Sequence, residues 1–279
     1  MLTLLLALAA LPQGTDTTIA VRGATRLQLS SLEGNITVRT WNRAEVRIEA
    51  DHDDDTRIAV EVGGRTLEVH ARSRYGPAEV TWRLTVPAEL GLEVSSQDGD
   101  IVVDGSKGEV SATTVDGDIT LRGGTGFVAL QSVEGDLDVS NVSGEVSLGT
   151  VDGTIQVRGA QGSLKVNSVD GDITLDEVNA RRVEANSVDG AIRLSGVLQE
   201  AGRYHLTTHD GDVTVLAPAI DAEVSVSTFS GDFESDFPVT LQGGASRKRL
   251  NFTLGKGSAR LDLESFDGTV SLRRGTGRP

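Results

Sequence analysis

The stretch SVDGDITL, residues 168–175, decides the fold because the chain repeats it along most of its length. TVDGDITL begins at Thr114, and weaker copies begin at Ser132, Thr150 and Ser187. The glycine of each D-G pair marks the period. These glycines are Gly99, Gly117, Gly135, Gly153 and Gly171 at steps of 18 residues, then Gly190, Gly211 and Gly231 at steps of 19, 21 and 20, and last Gly268. A fixed period of this kind is the signature of a repeat architecture.

Each period contains two short stretches with the alternating hydrophobicity of β-strands. Aliphatic residues recur two and four positions after the glycine, and again seven and five positions before the next glycine. A Ser or Thr stands three positions before nearly every repeat glycine. The pattern therefore predicts two strands and two turns per repeat. In one period the predicted inward side chains are Leu164, Val166, Ile173 and Leu175, and the predicted outward ones are Lys165, Asn167, Thr174 and Asp176.

Two architectures are compatible with this pattern. In an antiparallel meander each D-G pair would form a two-residue hairpin turn, whereas in a solenoid each repeat would be one coil stacked on the last. The corner at D-G has one length in every copy, and the extra residues fall at the other corner, for example at 195–203. One constant and one variable corner favour the solenoid. We therefore predict an all-β fold, a single-stranded parallel β-solenoid or β-roll of 18-residue, two-strand coils with irregular β caps at both ends.

The chain divides into four predicted parts. Residues 1–14 are predicted to be a signal peptide, 15–95 an N-terminal β cap, 96–235 the regular repeat, and 236–279 a degenerate coil, a final coil and a C-terminal tail. The apolar run Leu2–Leu11 is shorter than the ~18 residues needed to span a bilayer, and Ala7–Ala9 offers a cleavage site. No Lys or Arg precedes the run, so a buried first strand or a misassigned start codon is the alternative. We expect a soluble protein that is secreted, periplasmic or held at the cell surface.

Composition excludes several classes of function. The formal net charge is −15 and the pI is about 4.7, which disfavours nucleic acid as a partner and direct docking on anionic membranes. Aromatic residues make up only 4% of the chain, which argues against a conventional helix-packed core. Cys is absent, so disulfides, thiol chemistry and a lipid-modified N-terminal cysteine are excluded.

One run carries a resemblance to a known family. In Thr85–Leu121, Val86-Pro87 is followed by units of the form S/T-x-x-G-D-I-x-V, and Gly255–Leu272 has the look of a closing coil. These features resemble a bacterial family of unknown function, whose exported β-strand-repeat domains are regarded as candidate adhesins similar to adhesin-head domains. The likeness covers Thr18–Arg274. It implies an exported β-solenoid with an adhesin-like binding or structural role at the cell envelope, and it brings no catalytic residues.

No catalytic, cofactor or metal site is predicted. Of the four histidines (His52, His70, His205 and His209), the last two would share a face only on a helix; on a strand they lie ~13 Å apart and are expected to be exposed. There is no G-x-S-x-G elbow. Gly123–Phe127 is expected to be a glycine-rich corner rather than a dinucleotide loop, since no helix follows. The basic cluster Arg247–Arg249 and the acidic stretch Asp51–Asp55 are expected to be solvated loops.

The predicted function is a non-catalytic, adhesin-like module whose partner is an unidentified envelope or extracellular protein or glycan. One alternative is a polysaccharide-acting β-helix enzyme. Such an enzyme would need acidic residues and Arg or Lys concentrated at one site. The outward positions show no such cluster; they are Thr120, Asp138, Gln156, Thr174 and Arg193. The other alternative is a calcium-dependent β-roll, because stacking brings the carboxylates on both sides of each glycine into rows. We expect instead that each Asp accepts hydrogen bonds from the amides of its own turn, and that the fold forms without metal.

Overall fold

The computed structural model describes residues 14–21, 23–239 and 249–275, and all regular structure in these ranges is β. The all-β prediction is confirmed. No helix long and apolar enough to cross a membrane occurs within these ranges. Residues 1–13 of the predicted signal peptide, Arg247 and Lys248 of the basic cluster, and the last four residues lie outside the described part of the chain.

The strands follow one another from end to end of the described chain. The first twelve are β1 (Thr15–Ala20), β2 (Arg26–Ser30), β3 (Ile36–Trp41), β4 (Glu45–Asp51), β5 (Thr56–Gly63), β6 (Thr66–Ser73), β7 (Thr81–Pro87), β8 (Gly91–Ser95), β9 (Ile101–Ser106), β10 (Val110–Thr113), β11 (Ile119–Gly123) and β12 (Thr125–Gln131). The remainder are β13 (Leu137–Ser140), β14 (Ser143–Gly149), β15 (Ile155–Arg158), β16 (Gln161–Asn167), β17 (Ile173–Asp189), β18 (Ile192–Gly196), β19 (Arg203–Asp210), β20 (Val213–Ala217), β21 (Ala222–Thr228), β22 (Phe233–Ser235), β23 (Arg249–Leu254), β24 (Ala259–Asp267) and β25 (Val270–Arg274).

Successive repeats pair side by side in parallel. In one sheet Val110 of β10 pairs with Val128 of β12, which pairs with Val146 of β14. In a second sheet Ile119 of β11 pairs with Leu137 of β13. We call the two strands flanking one D-G pair a coil, the D-G corner the D-G edge, and the opposite corner the variable corner. Because equivalent strands of successive repeats are parallel neighbours, the D-G corners of the repeat region are not antiparallel hairpins, and the fold is β-solenoid-like.

The core lies between the two sheets and consists of aliphatic side chains. The inward set predicted for the coil of Gly171 is confirmed, because Leu164, Val166, Ile173 and Leu175 are all buried. The four outward side chains are exposed or half-buried. Nearly all of the other buried hydrophobic residues are also Val, Leu, Ile or Ala, which suits a narrow space between two closely packed sheets.

The order of coils in space differs from their order in sequence at both ends. Leu27 of β2 pairs with Leu67 of β6 on one side and with Leu92 of β8 on the other. In the stack, the first coil along the chain (β2 and β3) therefore lies between the coil of β6 and β7 and the coil of β8 and β9. At the opposite end, Leu261 of β24 lies between Tyr204 of β19 and Val224 of β21. The expectation that each coil stacks on the preceding one holds from β8 to β20 and is wrong at the two ends.

Antiparallel strands also appear at both ends, where the sequence predicts irregular β caps. Strand β4 runs antiparallel to both β1 and β7, and β5 runs antiparallel to β6. Strand β23, expected to belong to a degenerate coil between Gly231 and Gly268, instead pairs antiparallel with β21. Strands β4, β5 and β23 cover hydrogen-bonding edges that the terminal coils would otherwise leave open, and β1 pairs with the outer edge of β4.

Candidate functional site

The D-G edge is built on a column of glycines that only glycine can form. A Cβ atom placed on Gly117 would lie 2.5 Å from the carbonyl oxygen of Gly99 in the neighbouring coil, and Gly117 has a φ of +139°. The same carbonyl-over-glycine approach recurs along the column, which in spatial order is Gly34, Gly99, Gly117, Gly135, Gly153, Gly171, Gly190, Gly211, Gly268 and Gly231. The repeated glycine therefore answers a steric requirement of stacking as well as a turn geometry.

The residues around the glycine supply hydrogen bonds that the backbone ladder leaves unmade. At the coil of Gly135, the amide of Asp136 has a side-chain acceptor, Oδ1 of Asp118 in the neighbouring coil, at 2.8 Å. The carbonyl oxygen of Gly117 accepts a hydrogen bond from the buried Ser132 hydroxyl at 3.1 Å. Since buried or half-buried backbone groups need partners, the S/T-x-x-G-D motif supplies an acceptor and a donor to these groups in many coils. The buried hydroxyls of Ser96 and Ser168 are exceptions, because they have no partner in the described part of the chain.

The expected role of the aspartates is therefore wrong in one respect. Five of the aspartates that follow a repeat glycine, and Asn35 at the equivalent position, accept a hydrogen bond from the amide of the next coil rather than from their own turn. The pairs are Asn35 with the amide of Asp100, Asp100 with Asp118, Asp118 with Asp136, Asp136 with Thr154, Asp172 with Ala191, and Asp212 with Thr269. These six pairs of neighbouring coils are thereby joined by a side-chain bond to an amide in addition to their backbone bonds.

Removing one of these acceptors should cost a measurable amount of stability. Asp136→Ala leaves the Thr154 amide, now 2.6 Å from Asp136 Oδ1, with only water as partner, and should lower the free energy of unfolding by ~1 kcal/mol. Asp136→Asn keeps the acceptor and removes one charge from the row, so it should stay within ~0.5 kcal/mol of wild type. Asn35 already performs this role toward the Asp100 amide. Urea unfolding of both variants checks this, and equal losses would contradict it.

A second row of carboxylates precedes the glycines and is exposed. Its members bridge in parallel from coil to coil in the order Glu33, Asp98, Asp116, Glu134, Asp152, Asp170 and Asp189. No group of three or more His, Asp or Glu side chains arranged to hold a metal ion occurs in the described ranges. In the row that follows the glycines, Asp side chains accept hydrogen bonds from backbone amides. These bonds can position the carboxylates without a calcium ion.

Chelation should therefore leave the fold intact. We expect the melting temperature, followed by circular dichroism, to agree within a few degrees between excess EDTA and millimolar calcium. The physical reason is that the side-chain-to-amide bonds between coils need no ion. Loss of the β signal in EDTA, and its recovery with calcium, would show that metal binding is coupled to folding.

The remaining candidates from the sequence are dispersed. His205 and His209 are exposed on β19, as expected; His209 stacks on Phe266 with ring centroids 4.7 Å apart. His52 hydrogen-bonds Thr15, and His70 lies 3.7 Å from Glu61. The Gly123–Phe127 segment forms the corner between β11 and β12, and Asp51–Asp55 leads from β4 into β5. The structure does not bring these groups together.

A groove of about 1150 Å³ lies at the variable corner and crosses several coils. Its polar lining residues come from the end of β15, the start of β16, the bend inside β17, strand β18 and the loop that follows β18. They are Arg158, Gln161, Asp176, Glu177, Asn179, Arg193, Ser195 and Gln199, and apolar surface is added by Val178, Val197, Leu216 and Pro218. Planar amides and guanidinium groups provide many hydrogen-bond donors and several acceptors in a small space.

One wall of the groove is held by the buried Tyr204. Its hydroxyl donates to the carbonyl oxygen of Ala180 at 2.9 Å and accepts from the Gln199 amide at 2.6 Å. Burial raises the pKa of the Tyr204 phenol above its ordinary value, which the Gln199 amide partly opposes. The Ser195 hydroxyl donates to Asp176 Oδ1 at 2.9 Å. The side-chain amide of Gln199 donates through Nε2 to Asn179 Oδ1. These bonds fix the positions of several groove side chains before any ligand arrives.

The repeat pattern of the sequence does not predict this groove. Of the groove residues, only Asp176 and Arg193 are among the outward strand positions that the repeat pattern picks out. The other polar groups lie at strand ends or in the variable corner, where Glu177 adopts a φ of +53°. The signal that was available is the extra length at 195–203, because insertions in a repeat map to loops on one face that is often the binding face.

The family model of Toastrack DUF4097 matches residues 24–273. Among solved structures, the chain resembles a putative adhesin from Parabacteroides merdae (11% identity, TM-score 0.47) and a putative adhesin from Bacteroides fragilis (15% identity, TM-score 0.44). It also resembles a putative lipid binding protein from Parabacteroides distasonis (12% identity, TM-score 0.42). In all three cases the likeness covers 93% of this chain and 96% of the other. No curated protein matches the sequence. Because the family match spans the described coils from β2 to β25, the chain belongs to the Toastrack DUF4097 family.

Proposed function

We propose that this protein is a non-catalytic binding module of the adhesin type that acts at the cell envelope after export. In this proposal the coils form one parallel solenoid rod, and the groove at the variable corner is its ligand-binding surface. The observation that carries the proposal is the preorganised polar lining of the groove, in which the Tyr204, Ser195 and Gln199 hydrogen bonds set the wall. Preorganisation of this kind lowers the entropic cost of binding.

The chemistry of the lining favours a hydroxyl-rich ligand. Gln161, Asn179 and Gln199 each present a donor and an acceptor, so they match groups that can do both. Arg158 and Arg193 are exposed, and neither is ion-paired within the described part of the chain, which leaves their donors available. A glycan chain lying along the rod satisfies these groups in succession. The ligand class we propose is therefore an envelope or extracellular glycan.

Binding to a panel of bacterial and host glycans tests the proposal. The panel is screened with the folded protein, and each hit is titrated against Arg193→Ala and against a matched control, Arg122→Ala. Arg122 is exposed at the end of β11 and lies outside the groove. We expect Arg193→Ala to weaken binding about tenfold, as for loss of a charged hydrogen-bond donor, with no change for Arg122→Ala. Absence of any glycan hit, or equal affinities for both variants, would reject the groove as a glycan site.

A polysaccharide-acting enzyme is the second candidate, and one observation favours it. Asp176 and Glu177 share the groove with Arg158 and Arg193, a combination of carboxylates and guanidinium groups that could serve acid–base chemistry. The Asp176 carboxylate is already engaged by the Ser195 hydroxyl, an arrangement that serves positioning equally well. New reducing ends in the glycan panel, lost in Asp176→Asn, would establish this candidate in place of the binding module.

Export is part of the proposal and rests on the apolar run Leu2–Leu11. We expect protein secreted from a bacterial host to lack the segment up to about Ala10, as for cleavage after a short apolar region. Mass spectrometry of the secreted chain decides this. Recovery of the chain with Leu4–Leu8 still attached would argue that the run is not a cleaved signal.

A further inference from the structure

An apolar stripe runs along the D-G edge, on the opposite corner from the groove. It consists of the residues two positions before the repeat glycines, and its central members are Val115, Val133, Val151, Val169 and Val188. Each of these valines is between 42% and 54% exposed. Because successive coils are ~4.8 Å apart, five valines in adjacent coils form a continuous strip of ~19 Å. We call this set the valine stripe.

The stripe continues toward the C-terminal end of the stack as aromatic rings. His209, Phe266 and Phe229 occupy the same position in the next three coils, and their rings stack at 4.7 Å and 4.6 Å. Phe266 is 45% exposed. An apolar strip of this length on one edge is unusual, since exposed hydrophobic residues on soluble proteins are normally scattered.

A row of carboxylates lies directly beside the valine stripe. The residue after each valine is acidic: Asp116, Glu134, Asp152, Asp170 and Asp189. These side chains are exposed, and none is ion-paired in the part of the chain that the structure describes. Like charges at this spacing repel one another, so a cationic partner would lower the electrostatic energy of the row.

We propose that the D-G edge is a docking surface for a basic amphipathic polypeptide segment, whose apolar face covers the valine stripe while its Lys or Arg side chains pair with the adjacent carboxylates. The charges select this occupant. A second copy of the chain would place one acidic row against another at a net charge of −15, and an anionic lipid surface would be repelled in the same way. An apolar stripe flanked by basic residues is the complementary surface, in the manner of a helix laid on a groove.

Three synthetic peptides test this with the full-length protein. The first is an amphipathic helix with Leu on one face and Lys elsewhere. The second replaces every Leu by Ala and keeps the charge, and the third replaces every Lys by Glu. We expect the Leu/Lys peptide to bind about tenfold more tightly than the Lys/Ala peptide, and the Leu/Glu peptide not to bind. Binding is measured by fluorescence anisotropy at low and physiological salt, where the ionic part weakens.

Paired variants distinguish the stripe from general charge attraction. Val151→Thr/Val169→Thr should weaken the Leu/Lys peptide several-fold and leave the Lys/Ala peptide unchanged. The control Val62→Thr/Phe127→Thr alters two other exposed apolar residues and should leave both peptides unaffected. Equal binding of both cationic peptides, with no effect of the stripe variant, would overturn the proposal. So would a concentration-dependent dimer in sedimentation that the stripe variant dissolves, because the occupant would then be a second copy.

Discussion

Gly117→Ala is expected to lower the free energy of unfolding by ~3 kcal/mol or more. At temperatures where the wild type is still folded, the variant should already be largely unfolded. The new Cβ would lie 2.5 Å from the Gly99 carbonyl oxygen and 2.7 Å from its carbonyl carbon. Both are backbone atoms of the coil below, so neither can rotate away. The φ of +139° at Gly117 adds backbone strain for any other residue. Relief would require the two coils to separate, which breaks the ladder on both sides of the edge.

The control for this change is Gly149→Ala on β14. At Gly149 the nearest atom to an added Cβ is the Asn167 carbonyl oxygen at 4.0 Å, and φ lies outside the left-handed region. We therefore expect a change within ~1 kcal/mol, of either sign. Thermal and urea unfolding of the two variants provide the comparison. Similar stabilities for Gly117→Ala and Gly149→Ala would mean that the close stacking at the D-G edge is not as described.

Val166→Asp is expected to be the most damaging core substitution, at ~4 kcal/mol or more. Val166 is fully buried in the aliphatic core, and its partners on the two neighbouring strands are Leu148 and Ala185. A carboxylate there would have neither water nor a cationic partner. Urea unfolding should show either a much lower midpoint or no cooperative transition.

The neighbouring residue Lys165 supplies the matched surface change. Its ammonium lies 3.0 Å from Glu184, and this hydrogen bond holds the pKa of the Glu184 carboxyl below its usual range. The two side chains are 55% and 40% exposed, so solvent screens the pair and it contributes little to stability. We expect Lys165→Gln to lie within ~0.5 kcal/mol of wild type. If Lys165→Gln and Val166→Asp were equally tolerated, the inward register of β16 would be shifted by one residue.

The regular part of the fold could be predicted because the motif encodes its contacts one by one. Alternating aliphatic residues set the inward face, and the glycine marks the corner where coils approach most closely. The hydroxyl of Ser132 and the carboxylate of Asp118 were visible in the sequence as recurring residue types. Their hydrogen-bond partners could not be predicted, because the repeat has the same sequence pattern whether a side chain bonds within its own coil or to the neighbouring coil.

The exchanged order of coils at the N-terminal end has a correlate in the sequence, at Val80. The coil of β6 and β7 has Val80 where the other coils have glycine, and the Val80 carbonyl oxygen lies under Gly34. A non-glycine residue fits this column only where no coil lies beneath it. The coil that contains Val80 therefore has to be the terminal coil of the stack, beyond the coil of Gly34, although Val80 comes later in the chain. The groove could not be derived in the same way, since its residues come from corners that do not repeat.

The central claim is that each repeat advances the structure by one coil, and a distance between two spin labels tests it most directly. The chain has no Cys, so Val115→Cys/Val188→Cys carries labels only at these two exposed positions, four coils apart on the D-G edge. Parallel stacking predicts a backbone separation of ~19 Å between them, or four steps of ~4.8 Å. An antiparallel meander would use two strands per repeat and place them ~38 Å apart. A double electron–electron resonance distribution centred near the shorter value, after allowance for the label arms, is the predicted result, and one centred near the longer value would contradict the account.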